Sequence, residues 1–134
     1  MSVTVPNRGK SDAEFLKVAR ELEKETRRRC VNGPKRYTFF GLQELWMTTR
    51  RIYREIKKAN SIFPGSQHEA QLRRDHLIEA RADIEDFNSQ IELLLEDNIL
   101  TPKSTEIISD LAATEDALIK GLMKSDRSRY ANLP

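Results

Sequence analysis

The chain has 134 residues, of which 38% are apolar and 33% charged, with five glycines, five prolines and a formal net charge of +2. That size suits one domain burying about two-thirds of the surface its unfolded form exposes, and the composition is helical rather than β-sandwich-like or disordered. No apolar run reaches the roughly 20 residues that span a bilayer, no signal-peptide core is present at the N-terminus, and the lone Cys30 excludes an internal disulfide, so a reducing, cytoplasmic location is expected.

Residues 1–10 lack periodicity and contain Pro6 and Gly9, which predicts a flexible tail. Ser11 with Glu14 makes a capping-box pattern. Phe15, Val18, Ala19, Leu22 and Thr26 then recur at helical steps, predicting a helix over about 12–30 that stops at Asn32-Gly33-Pro34. A second helix over 38–62 carries Leu42, Leu45, Trp46, Thr49, Ile52, Tyr53 and Ile56 on one face and ends at Phe63-Pro64-Gly65. A third, over 67–98, repeats Leu77, Ala80, Ile84, Phe87, Ile91 and Leu94 at alternating three- and four-residue steps. Thr101-Pro102 supplies an N-cap and first-turn proline for a fourth, over 102–125, whose seam is Ile108, Leu111, Leu118 and Leu122. Residues 126–134 read as a basic tail. Four helices joined by short loops predict an all-α, antiparallel up-down-up-down four-helix bundle over 11–125.

Charge is segregated along this order. From Arg20 to Asn60 there are twelve Lys/Arg against five Asp/Glu, a net of +7, whereas Glu79 to Asp116 holds two against eleven, a net of −9. Such a split concerns partners rather than fold: a nucleic acid on the basic side, or head-to-tail assembly of basic on acidic helices. The candidate binding set has three parts. Arg27, Arg28 and Arg29 end the first helix, with Lys35 and Arg36 following in the loop. Arg50, Arg51, Arg54, Lys57 and Lys58 make a stripe on the second helix, and Lys124, Arg127 and Arg129 lie near the C-terminus. In an up-down bundle the first and last clusters stand at opposite ends, bridged by the stripe, and a basic track of this kind binds phosphates independently of sequence. Cations at a helix C-terminus also favour the dipole, so Arg27 to Arg29 alone are weak evidence of binding.

Catalytic patterns are absent. His68 and His76 are eight residues apart, about two helical turns, too far to share a metal, and no Glu-x-x-His pair or glycine-rich phosphate loop occurs. Cys30 follows Arg29 near a helix C-terminus, where the dipole disfavours a thiolate, so inert packing is expected of it. No enzyme activity, metal or cofactor is expected. Asn60, Asn98 and Glu115 fall on seam positions, which fits register specification, a helix end, or a contact between subunits. Most aromatics sit on seams, leaving Tyr37 and Tyr130 as free rings and favouring recognition of RNA by shape and charge.

The stretches NGPKRY (32–37), KKANSIFP (57–64), NILTPK (98–103) and MKSDRSRY (123–130) resemble the accessory variability determinants of diversity-generating retroelements, a group related to the ribosomal-RNA intervening-sequence proteins. The resemblance covers about Phe15 to Tyr130. It implies a homopentamer of four-helix bundles that binds the element's reverse transcriptase and template RNA and supports mutagenic complementary-DNA synthesis without catalytic residues of its own. Carried onto this chain, the polymerase- and RNA-facing set would be the basic residues of the second helix and its flanking loops. The chain departs from the family pattern at Gly121-Leu122-Met123, where a Trp-containing segment would precede the Lys-Ser-Asp motif. Two other readings remain: a structured-RNA-binding protein of the intervening-sequence type, and a structural bundle whose charge asymmetry serves self-assembly.

Overall fold

The computed structural model describes residues 5–134, with side chains from Glu14 onward. It contains α1 (Val5–Asn32), a 3-10 helix η1 (Lys35–Phe40), α2 (Leu42–Asn60), α3 (Gln67–Glu96) and α4 (Pro102–Arg129), with no strand among the described residues. These pack as a helical bundle in which α2 and α4 each lie against both α1 and α3. Cross-helix pairs run in opposite order along α2 and α3: Glu55 meets His76, Arg51 meets Asp86, and Thr48 meets Gln90. The same opposition joins α3 to α4, where Arg73 meets Asp126 and Arg81 meets Asp116.

The core follows the helical spacing of the apolar residues. Phe15, Ala19 and Leu22 of α1 meet Leu42, Leu45, Ile52 and Ile56 of α2, and the α3 seam from Leu77 to Leu94 is buried throughout. On α4 the centre of the seam is Thr105, Ile108, Ala112, Glu115 and Ile119, while the expected Leu111, Leu118 and Leu122 flank it half-buried.

Local chemistry sets the boundaries. Ser66 caps α3 by accepting from the Glu69 amide, and Thr101 and Ser104 satisfy each other's amides at the start of α4. α3 stops at Asn98, which adopts the left-handed φ of 58° beyond the helix, so the helix-end reading of that residue holds. α4 continues to Arg129, so the first four residues of what reads as a basic tail in the sequence form its last turn.

The second helix begins later than its periodicity predicts. Residues 35–40 wind as the 3-10 helix, and Gly41 at φ +133° separates it from α2. A side chain at Gly41 would be strained by that φ, and its Cβ would approach Leu94 Cδ2 to 2.8 Å. The backbone of α1 is helical from Val5, ahead of the start predicted at Ser11. The predicted tail lies outside the described residues over 1–4, and the Ser11 half of the Ser11/Glu14 cap lies outside the described side chains.

One buried polar contact has no signature in the sequence. Arg73, 4% exposed, donates Nε to Asp126 Oδ2 at 2.7 Å and Nη1 to the carbonyls of Ala59 and Ile62. It therefore joins the C-terminal turns of α2 and α4 through α3, at one end of the molecule.

Candidate nucleic-acid interface

The stripe predicted on α2 divides into two sets. Arg51 turns toward α3, 3.9 Å from Asp83 and 3.3 Å from Asp86, and also donates to Thr48. Acids are in excess there. Burial pushes the Asp83 carboxyl above its ordinary value, Arg51 pulls it down, and Glu55, Glu79 and Asp86 add to the rise. Lys58 is held by Glu55 at 3.2 Å, and that carboxylate also sits 2.7 Å from His76 Nδ1. Burial works to raise Glu55, but hydrogen bonds from His76 and Lys58, and their charges, hold it below the usual range. Arg51 and Lys58 are thus engaged within the protein.

Arg50, Arg54 and Lys57 are exposed and pair with no carboxylate among the described residues. Arg50 lies 5.7 Å above the Trp46 ring, whose indole donates to Glu23 of α1 at 2.6 Å. This contact turns the Trp46 side of α2 toward α1. A groove of about 770 Å³ opens along that seam, lined by Lys17, Arg20, Lys24 and Arg27 of α1 and by Tyr53 of α2, with Leu16, Glu21 and Glu23. Lys17, Arg20 and Lys24 were not in the sequence-derived set. They recur with Arg27 at steps of three, four and three, one line along the helix, and that spacing is the signal that would have found them.

The run Arg27–Arg29 is itself divided. Arg29 is committed to structure, donating Nε to the Ser104 carbonyl of α4 and Nη1 to Glu25. Arg28 pairs with Glu25 at 3.2 Å, and Arg27 sits 3.8 Å from Glu23 while remaining exposed. Lys35 and Arg36 are exposed, with Arg36 stacked 4.8 Å over Tyr37.

At the other end Arg129 lies 3.9 Å from Asp126 and 5.8 Å over Tyr130, while Lys124 and Arg127 are exposed and bear no described ion pair. The Arg73 contact places these C-terminal cations at the end where Lys57 lies. The structure thus leaves Arg50, Arg54 and Lys57 exposed without an ion pair among the described residues, commits Arg29 to a contact with α4, and gives the part-exposed Arg51 and Lys58 acid partners.

The remaining reactive groups are isolated. Cys30 is buried, and burial pushes its thiol up to about 11. Among the described residues no group of three His, Cys, Asp or Glu side chains stands together as a metal site, and no helix is long and apolar enough to cross a membrane. The free aromatics are not the expected Tyr37 and Tyr130, which are half-buried with Tyr37 packed against the core, but Phe39, Phe40 and Phe63, because η1 and the α2–α3 loop carry these off the helical seams. Comparison with family models, curated proteins and solved structures finds no match to this chain.

Proposed function

We propose that the chain is a non-catalytic RNA-binding protein of antiparallel up-down-up-down four-helix topology, working as the accessory protein of a diversity-generating retroelement. In this reading it binds the reverse transcriptase and template RNA in the cytoplasm, as a homo-oligomer that the resemblance makes a pentamer. The opposed order of the cross-helix pairs supports the topology. The observations that carry RNA binding are the α1–α2 groove, lined by four α1 cations, and the exposed, unpaired Arg50, Arg54 and Lys57 of the neighbouring helix. Exposed cations without acid partners can exchange their counterions for phosphates, whereas paired ones must first break a contact. The retroelement role itself rests on the quoted sequence stretches.

The test is retention of template RNA by the purified chain at low salt, with and without the polymerase. Binding that collapses as salt rises is expected, and no retention under either condition refutes the reading. A neighbouring reverse transcriptase gene with a pair of near-identical repeats is expected in the genome; a location inside a ribosomal-RNA operon would instead select the intervening-sequence alternative. The self-assembly reading has its own support in the exposed apolar side chains Val31, Phe39, Phe40, Leu93 and Ile107, and a change of solution mass on charge reversal in α2 would favour it.

A further inference from the structure

We propose that Phe39 and Phe40 form a stacking platform for unpaired bases, which makes single-stranded RNA the substrate class; this rests on the RNA-binding reading above. The segment KRYTFF buries none of its residues, and its two phenylalanines are 87% and 74% exposed. Core packing therefore does not explain them.

Their backbone is nevertheless fixed. The Tyr37 amide donates to Pro34 at 3.0 Å, Gly41 donates back to Tyr37, and Tyr37 packs against the core. Gly41 closes on Leu94 of α3 too tightly to admit a side chain. Rings presented by a held backbone lose less freedom on binding than rings on a loose loop. In a 3-10 helix side chains three apart eclipse, so Arg36 aligns with Phe39 and Tyr37 with Phe40. The Arg36 guanidinium lies over the Tyr37 ring and Tyr37 packs against the core, which leaves Phe39 and Phe40 as the free rings of the segment.

The charge of the segment chooses the occupant. Lys35 and Arg36 are exposed, without an anionic partner among the described residues, and they flank the rings within the same six positions. A purely apolar partner would leave both cations uncompensated at its edge. A single strand supplies a base face for each ring and a phosphate for each cation, tolerating any sequence because every base has such a face. A duplex keeps its base faces stacked inside and cannot use the platform.

The experiment compares the full-length chain with a Phe39→Leu/Phe40→Leu variant, which keeps the apolar character and removes the rings. Fluorescence anisotropy is read with a short single-stranded RNA and with a blunt RNA duplex of equal length. The variant should bind the single strand about 5- to 150-fold more weakly per base unstacked, with unchanged salt dependence and unchanged duplex affinity. A Phe39→Trp variant should retain single-strand affinity and show quenching of the new indole on binding. Equal single-strand binding by the wild type and the leucine variant overturns the platform and leaves RNA binding by the α1–α2 groove standing. Parallel losses on single strand and duplex also overturn it, as does a change of solution mass with RNA affinity intact, which would assign the patch to a protein contact. Failure of the wild type to bind either RNA overturns the reading beneath it as well.

Discussion

Arginine is used differently in the two halves of the molecule. Two of the three arginines of α3 are consumed: Arg73 is buried between Asp126 and two carbonyls, and Arg81 reaches across to Asp116 at 3.0 Å. Along the α1–α2 groove the cations outnumber nearby acids, and Lys17, Arg20, Lys24, Arg50, Arg54 and Lys57 are exposed with no described ion pair. In a chain one-third charged, a count of cations therefore says little about binding. The position of each acid partner decides which cations are available to a ligand and which hold helices together.

The largest effect is expected where this contrast is broken directly. Reversing Arg50, Arg54 and Lys57 to Glu should lower RNA retention at low salt on the order of 100-fold or more, with each lost phosphate contact on a single strand reducing the salt slope by about 0.7. Arg51→Glu is the matched control on the other side of the same helix. It meets Asp83 and Asp86, so it should lower the melting temperature with little change in RNA affinity. Filter binding over a salt series, beside a thermal melt, separates the two. Equal RNA losses from both variants would show that the division of the stripe has no functional meaning.

Next in size is the clamp in the acidic half. Arg73→Ala leaves the largely buried Asp126 with only Arg129 at 3.9 Å and strands the carbonyls of Ala59 and Ile62, so it should cost about 3–5 kcal/mol in urea unfolding. The loss should appear in the midpoint of a single transition, because the contact ties α2, α3 and α4 together. A loss under about 1 kcal/mol would mean that the carbonyls and Asp126 find other partners as readily as exposed groups do.

Much of this architecture is legible in the sequence, for a physical reason. The α3 seam and the Thr101-Pro102 start of α4 are written in local spacing and capping chemistry, which act within a turn or two of helix. The 3-10 helix escaped because Phe39 and Phe40 continue the apolar texture of α2, and only the fold shows the positive φ of Gly41 and the close approach of Leu94, 53 residues away, that would crowd any Cβ there. The Arg73 clamp escaped for the same kind of reason. Arg73, unlike Arg74, continues the α3 seam four residues before Leu77, but an arginine there does not announce its aspartate, and its burial depends on α4 arriving overhead. At the candidate interface the sequence locates the basic half but cannot sort paired from unpaired cations, since Arg51 and Arg54 differ only in whether α3 acids face them.

A third test concerns a carboxyl that belongs to neither surface. Glu115 is fully buried on the α4 seam, both oxygens lack a hydrogen-bond partner, and burial pushes its carboxyl up to about 8. The folded state therefore holds its proton more tightly than the unfolded chain does. Stability should be unaffected by this residue below about pH 4, fall by up to ~1.4 kcal/mol per pH unit as the unfolded chain ionises, and level off above about pH 8. Glu115→Met should remove that slope, leaving a variant more stable than the wild type by a margin that is larger at pH 8 than at pH 4, where only the unpartnered neutral carboxyl is relieved. Parallel urea curves across pH for the two proteins would show that the carboxyl finds a partner when ionised.

The smallest expected effect closes the comparison between the halves. Arg81 pairs with Asp116, as Arg73 does with Asp126, but its side chain is 39% exposed and Lys120 stands 3.4 Å from the same carboxylate. Water screens the attraction, and the lysine remains to neutralise Asp116 when the arginine is gone. Arg81→Ala should cost less than about 1 kcal/mol in urea unfolding, and 0.5 M salt should remove most of that difference. Two arginines on one helix, each reaching an aspartate on α4, would then differ severalfold in their contribution to stability. A large, salt-resistant loss at Arg81 would mean instead that the outer layer of the acidic half is as integral to the bundle as its clamp, and that the free cations of the α1–α2 groove are the exception in this molecule rather than one of two balanced uses of charge.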